Sequence, residues 1–243
     1  MEYPYLPKAP IREAIIDIRV KHAPNFDVTN FRKFRNEFSE DFPVMEDRKA
    51  FSAKINFGPK KADIQKEDDE IDAIIFRSEE RGEVLQFSKE GFTFNKLKPY
   101  TNWDDVISKA KKKWEYYIQA SKPIAITRIA TRYINHILIP ISSNIEDYLE
   151  NTPKLPSNGP EVFDGALSRI RLIDPDHDAF VNLTQTIESK GKKAAIILDI
   201  DAFKKQQYEI EDDSCWEDFE ELRELKNKIF FSSLKPKAIN KFK

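Results

Sequence analysis

One cysteine, Cys215, occurs in the whole chain, so no disulfide can form within it. That excludes the disulfide-stapled class of small secreted domains and points to a reducing, cytoplasmic setting. A Cys/His zinc site falls with it. The three histidines, His22, His136 and His177, are far apart and form no His-x-x-x-His pair. Cys215 with a distant histidine reads as an inert thiol, not a nucleophile. Six glycines in 243 residues leave no glycine-rich phosphate cradle and no Gly-x-Ser-x-Gly elbow. No apolar run approaches the roughly 18 residues that span a bilayer. Met1-Glu2-Tyr3-Pro4 lacks the basic stretch and apolar stretch of a signal peptide, so a cytoplasmic chain without membrane contact is expected. A basic excess is also missing. Forty basic against 42 acidic residues give a net charge of −2. This argues against a broad nucleic-acid footprint and leaves room only for a local basic groove.

What is present is core-forming material. Hydrophobic residues make up 40%, aromatics 12%, and 18 of the aromatics are Phe. A chain of this length and composition can bury a core without disulfides or metal.

The chain also repeats itself at an offset of 113 residues. Pro10-Ile11 recurs as Pro123-Ile124, Arg19 as Arg132, Trp103-Asp104-Asp105-Val106 as Trp216-Glu217-Asp218-Phe219, and Lys122-Pro123 as Lys235-Pro236. Glu13 to Val20 alternates as a half-buried strand, with Ala14, Ile16, Ile18 and Val20 on one side. Phe31, Phe34 and Phe38 predict an amphipathic helix between Val28 and Phe42. Phe51 to Phe57 predicts a strand, Lys60 to Glu70 a charged loop, and Ile71–Ser78 with Glu83–Ser88 a hairpin turned by Glu80-Arg81-Gly82. Asn102 caps a helix to about Ala120. The second half repeats the plan. Ile124 to Ile139 is a long β-branched strand. Phe163–Ile173 and Ala179–Glu188 pair across Asp174-Pro175-Asp176-His177-Asp178. After a turn at Ser189–Lys192 comes the strand Ala194–Asp201, then a helix from Trp216. The expected fold class is therefore α+β. Two internally duplicated β-α-β-β-β-α units, residues 1–122 and 123–243, form one pseudo-symmetric body, with a mainly antiparallel sheet and helices packed on one face. A broad sheet of this kind leaves edges, and a homodimer is the expected way to cover them.

Pro10-Ile11-Arg12-Glu13-Ala14-Ile15-Ile16-Asp17-Ile18-Arg19 and Arg128-Ile129-Ala130-Thr131-Arg132-Tyr133-Ile134-Asn135-His136-Ile137 resemble the two signature segments of a sporadically distributed, uncharacterised prokaryotic family of proteins of about this length. The family pattern has Gly-Leu where this chain has Ala130-Thr131, and the closing segment is more Lys-rich here. The resemblance implies an accessory role, for instance in a prokaryotic defence or stress system. It supplies no catalytic residues.

Leu198-Asp199-Ile200-Asp201-Ala202-Phe203-Lys204 resembles the metal-binding strand of diguanylate cyclases, since aspartates two apart share a strand face and can hold a divalent ion. The glycine-rich acidic hairpin that such enzymes need downstream is missing, because no glycine follows Gly191. The simpler reading pairs the aspartates with arginines. Arg128, Arg132 and His136 lie at i, i+4 and i+8 on one strand and share a face. The opposite face, with Thr127, Ile129, Thr131 and Tyr133, is expected to meet the helices. The offset aligns Asp199 and Asp201 with Gln86 and Ser88. In one continuous sheet Arg19, Arg128, Arg132, His136, Asp199 and Asp201 would line a polar surface. That surface is either an ion-pair network on a solvated face or a groove for an anionic or peptide ligand. The Asp174–Asp178 run reads as a turn and not a calcium loop. The Lys109–Lys113 run reads as a solvated helix face, and the Lys-rich tail after Lys235 as mobile.

These features predict a non-enzymatic binding or assembly protein without a cofactor, using the polar sheet face toward a protein partner or small anionic ligand. The competing reading is a metal-dependent phosphoryl-transfer or phosphodiester-cleaving enzyme built on Asp199 and Asp201.

Overall fold

The computed structural model describes residues 3–24, 26–50, 53–57, 62–66, 70–153, 158, 164–190 and 193–243. Its strands are β1 (Ile11–Lys21), β2 (Val44–Ala50), β3 (Ala53–Phe57), β4 (Ala62–Lys66), β5 (Glu70–Ser78), β6 (Glu83–Ser88), β7 (Gly91–Leu97), β8 (Ala125–Pro140), β9 (Gly165–Asp174), β10 (Ala179–Lys190) and β11 (Lys193–Lys204). Its α-helices are α1 (Trp103–Ser121), α2 (Ser214–Ser233) and the short α3 (Pro236–Ile239). Nine strands form one sheet in the order β2-β5-β6-β7-β1-β8-β11-β10-β9, while β3 and β4 pair separately. Every pairing is antiparallel.

This overturns the α+β expectation. Strand far outweighs helix, and a single antiparallel sheet replaces a balanced pair of β-α-β-β-β-α units. The first helix of each expected unit is the reason. Val28–Arg35 forms a 3-10 helix, and Ile145–Asp147 is a single 3-10 turn. Phe31, Phe34 and Phe38 are buried as their spacing demanded. They reach β5, β6 and α1 from short turns and not from a full amphipathic helix. The segment read as a charged loop contains β4, and β2 adds an edge strand with no counterpart at the other end. Phe51 of the expected second strand, Phe163 at the start of another, and Gly191 and Lys192 of an expected turn lie outside the described residues.

The sheet is arranged about the β1–β8 pair. Outward from β1 come β7, β6 and β5, and outward from β8 come β11, β10 and β9. So β11 stands where β7 stands, not where β6 does. The alignment of Asp199 and Asp201 with Gln86 and Ser88 is thereby corrected: a constant offset of 113 does not carry through to β11. Trp103 opens α1, and Trp216 lies in the first turn of α2.

Alternation decides which face is buried. Ala14, Ile16 and Ile18 of β1, Ile129, Thr131 and Tyr133 of β8, and Ile196, Leu198 and Ile200 of β11 are all buried. Thr127, assigned to the same face, is exposed at its end. α1 packs on β7 and β1, and α2 packs on β11 and β8. Asn102 caps α1, its side chain accepting from the Asp105 N–H at 2.8 Å, as its position predicted. The tail is docked and not mobile: α3 follows Lys235, Phe242 is buried, and the Phe242 carbonyl accepts from the Lys8 N–H at 3.0 Å. The long strand β8 is central, so the sheet's edges belong to β2 and β9. Among the described residues, no helix is long and apolar enough to cross a membrane.

β7 starts against the backbone of β1, and Gly91 makes that approach possible. Its φ is +154°, and a Cβ there would sit 2.0 Å from the Ile18 carbonyl oxygen. Gly91→Ala should cost at least about 2 kcal/mol, because backbone atoms and not a flexible side chain must move. Urea denaturation checks this. A loss below about 0.5 kcal/mol would show that β1 and β7 are not held this closely.

Candidate functional site

The face of the sheet away from α1 and α2 carries the residues singled out by sequence. In the β1–β8 register Arg19 stands opposite Arg128, two like charges side by side. Asp17 resolves the conflict. Its Oδ1 accepts from Arg128 Nη1 at 2.8 Å and from Arg19 Nε at 3.1 Å, while Oδ2 accepts from Thr93 Oγ1 at 3.1 Å. Ala130 stands opposite Asp17 in this register. That small residue leaves the carboxylate open to both guanidiniums. Arg19 also pairs with Glu90.

Arg128 is held from its other side by β11. Its Nη2 donates to both oxygens of Asp201, at 3.0 and 3.1 Å, and its guanidinium lies 4.5 Å from the Phe203 ring centroid. Asp201 Oδ2 also accepts from Asn182 Nδ2 of β10 at 3.0 Å. Arg132 makes a two-pronged pair with Asp199, Nε to Oδ1 at 2.8 Å and Nη2 to Oδ2 at 2.5 Å. That bond, outweighing burial, raises the Arg132 pKa. Arg19, Arg128, Arg132, Asp199 and Asp201 therefore do meet in one network. His136 stands further along the same face, opposite Ile197, outside the groove's lining. Glu13, on the same face of β1, accepts from Asn95 Nδ2 at 2.5 Å.

Around this network lies an open groove of about 520 Å³. Its lining includes five cations, Arg19, Arg128, Arg132, Arg171 and Lys205. The first three are neutralised by Asp17, Glu90, Asp201 and Asp199. Arg171 and Lys205 have no carboxylate partner among the described residues. Arg171 lies 5.3 Å from the Phe203 ring and 5.7 Å from the Phe180 ring, and those rings stack at 5.5 Å. Sequence reasoning missed Phe203, which continues the Asp199, Asp201 alternation along β11, and Lys205, which follows the strand's last residue. Arg171 and Asn182 could be found only through the strand register, which the sequence does not encode locally.

The oxygens of Asp199 and Asp201 that a metal would need are committed to guanidiniums. Among the described residues no group of three or more His, Cys, Asp or Glu side chains is placed to hold a metal ion. The Asp174–Asp178 run is the β9–β10 turn, with Asp174 Oδ1 accepting from the Asp176 N–H at 3.3 Å. The basic run on α1 is partly paired, Lys109 with Glu83 and Asp105, Lys111 with Asp213 and Lys113 with Asp41. Burial pushes the Cys215 thiol up to about 12, far from nucleophilic range.

In comparisons with known proteins, no family model and no curated protein matches this chain. The functional reading therefore rests on the geometry.

The two central arginines should respond differently to removal. Arg128 is 21% exposed and its partners Asp17 and Asp201 are 13% and 19% exposed. Arg128→Met removes the guanidinium from both carboxylates, leaving Asp17 to Arg19 and Thr93 and Asp201 to Asn182, and should cost about 2 kcal/mol. Arg132 is 45% exposed, so Arg132→Ala should cost less than about 1 kcal/mol. Equal losses in urea denaturation would contradict this division.

Proposed function

We propose that this is a non-enzymatic binding protein that holds a small, multiply charged anion in the groove on the uncovered sheet face. The observation that carries the proposal is the pair of cations, Arg171 and Lys205, without carboxylate partners among the described residues, on a face where Arg19, Arg128 and Arg132 are all neutralised. The Arg171 guanidinium lies against the rings of Phe180 and Phe203, and among the described residues no carboxylate takes its donors. Phosphate or carboxylate oxygens suit such donors, and Lys205 supplies a second point charge. The side chain of Gln86 on the groove wall offers a neutral donor. The ion-pair network beneath is a rigid floor and does not itself compete for the ligand.

The phosphoryl-transfer alternative has less support, since Asp199 and Asp201 are spent on Arg132 and Arg128. An accessory role, as the resemblance of the β1 and β8 segments implies, fits a binding protein and forms part of the same proposal.

Titration calorimetry with pyrophosphate at low ionic strength tests the reading. Wild type should bind, and Arg171→Ala and Lys205→Ala should each weaken binding by about tenfold, as loss of a charge-assisted contact does. Absence of binding by wild type, or unchanged binding by Arg171→Ala, would refute it.

A further inference from the structure

The other side of the sheet holds a second cavity of about 630 Å³, walled by the N-terminal segment before β1, the segment between β7 and α1, β8 and α2. Its charged lining has one sign. Lys8, Lys98, Arg223 and Lys226 line it and, among the described residues, no carboxylate does, in a chain whose acidic residues outnumber its basic ones. Seven of the other lining residues are aromatic. Tyr3 stacks on Phe231 at 4.8 Å, and Tyr100 meets Tyr133 edge-on at 5.7 Å. The Tyr100 and Tyr133 hydroxyls are 3.0 Å apart and so bonded to each other.

Lys226 is the unusual member. Its Nζ lies 3.9 Å from the Tyr133 ring centroid and 2.6 Å from Asn227 Oδ1, with no carboxylate partner among the described residues. Arg223, one turn away, differs: Nη1 pairs with Glu220 at 3.1 Å and its guanidinium lies 5.6 Å from the Trp103 ring. An inward lysine with only a ring and an amide for company lacks a counter-ion in the folded protein.

We propose that this cavity binds a small anion with a flat apolar body, an aromatic carboxylate, with Lys226 Nζ as its charge partner and the surrounding rings as its walls. The proposal is independent of the groove on the opposite face. Size agrees, because about 630 Å³ falls within the usual range for small-molecule sites.

Burial first, then the positive charge of Arg223, lowers the Lys226 pKa to about 7, with Glu224 opposing. The other charged groups lining the cavity are Lys8 from the N-terminal segment and Lys98 from the segment after β7, both cations. Tyr100 and Tyr133 have raised pKa values, chiefly through burial, and stay neutral. An anion would favour the ammonium form, so binding above pH 7 takes up a proton. Affinity should then fall with rising pH, by up to about tenfold per unit. The same linkage acts on folding. Between about 7 and the ordinary 10.5 the unfolded chain holds a proton that the folded chain has lost, so stability rises with pH over that window. Lys226→Met should therefore raise the melting temperature most below pH 7 and least near pH 10.

The test uses 2-naphthoate, fully ionised from pH 6.5 to 9, with 2-naphthamide as its neutral counterpart, read by calorimetry. Wild type should bind naphthoate at pH 6.5 at least about tenfold more tightly than naphthamide and lose affinity steadily towards pH 9. Lys226→Met should weaken naphthoate by tenfold or more and leave naphthamide unchanged, while Arg171→Ala should alter neither. No binding of naphthoate by wild type, equal binding of the two probes, or an affinity independent of pH would overturn the proposal. The pH profile of wild type decides the matter even if Lys226→Met does not fold.

Discussion

The pairing of β1 with β8 is the constraint on which the rest of the sheet depends. It joins segments more than a hundred residues apart and sets β7, β6 and β5 on one side and β11, β10 and β9 on the other. The register brings Arg19 and Arg128 face to face. Asp17 stands between them and accepts from both guanidiniums, so this register is the one that turns a like-charge pair into a bridged one. A slip by one residue would send Asp17 into the apolar layer with Ile16 and Ile18. The ion pairs at this seam thus select one alignment, a more defensible role than a large net gain in stability.

Charge is treated in opposite ways on the two sides of the sheet. On the uncovered face nearly every arginine near the seam is matched, and Asp17, Asp199 and Asp201 each reach a guanidinium. Beneath the helices, Lys204 is matched too, by Asp218 and Glu221. Lys226 is the contrast, packed on Tyr133 with an amide oxygen as its hydrogen-bond partner. A leucine or methionine there would fill the space without the desolvation cost. The cost makes sense if the amine has work to do.

Much of the face assignment was legible in the sequence because strand periodicity is local. Arg128 and Arg132 four apart, and Asp199 and Asp201 two apart, fix which side chains point together, and Ile129 and Tyr133 fix the buried side. Helix content was misread because the Phe31, Phe34, Phe38 spacing reports burial and not hydrogen bonding, and a 3-10 helix followed by turns buries the same rings. The place of β11 beside β8, the contribution of Arg171, and the cavity around Lys226 all depend on which strands become neighbours. Tyr3, Tyr100, Tyr133 and Lys226 come from four distant parts of the chain, and no local pattern announces their meeting.

The central seam also dictates the order in which the protein can fold as it is made. β1 emerges first, yet its neighbours β7 and β8 begin at Gly91 and Ala125. Until those segments leave the ribosome, both edges of a strand rich in isoleucine have no native partner. At about 5–20 residues per second that interval lasts several seconds, long enough for unpaired strand edges to meet other chains. Such a topology is dominated by distant contacts and folds slowly. Polar residues at Glu13, Asp17 and Arg19 keep half of that early strand hydrated in the meantime, so the charges that later lock the register first serve to keep the nascent chain apart from its neighbours.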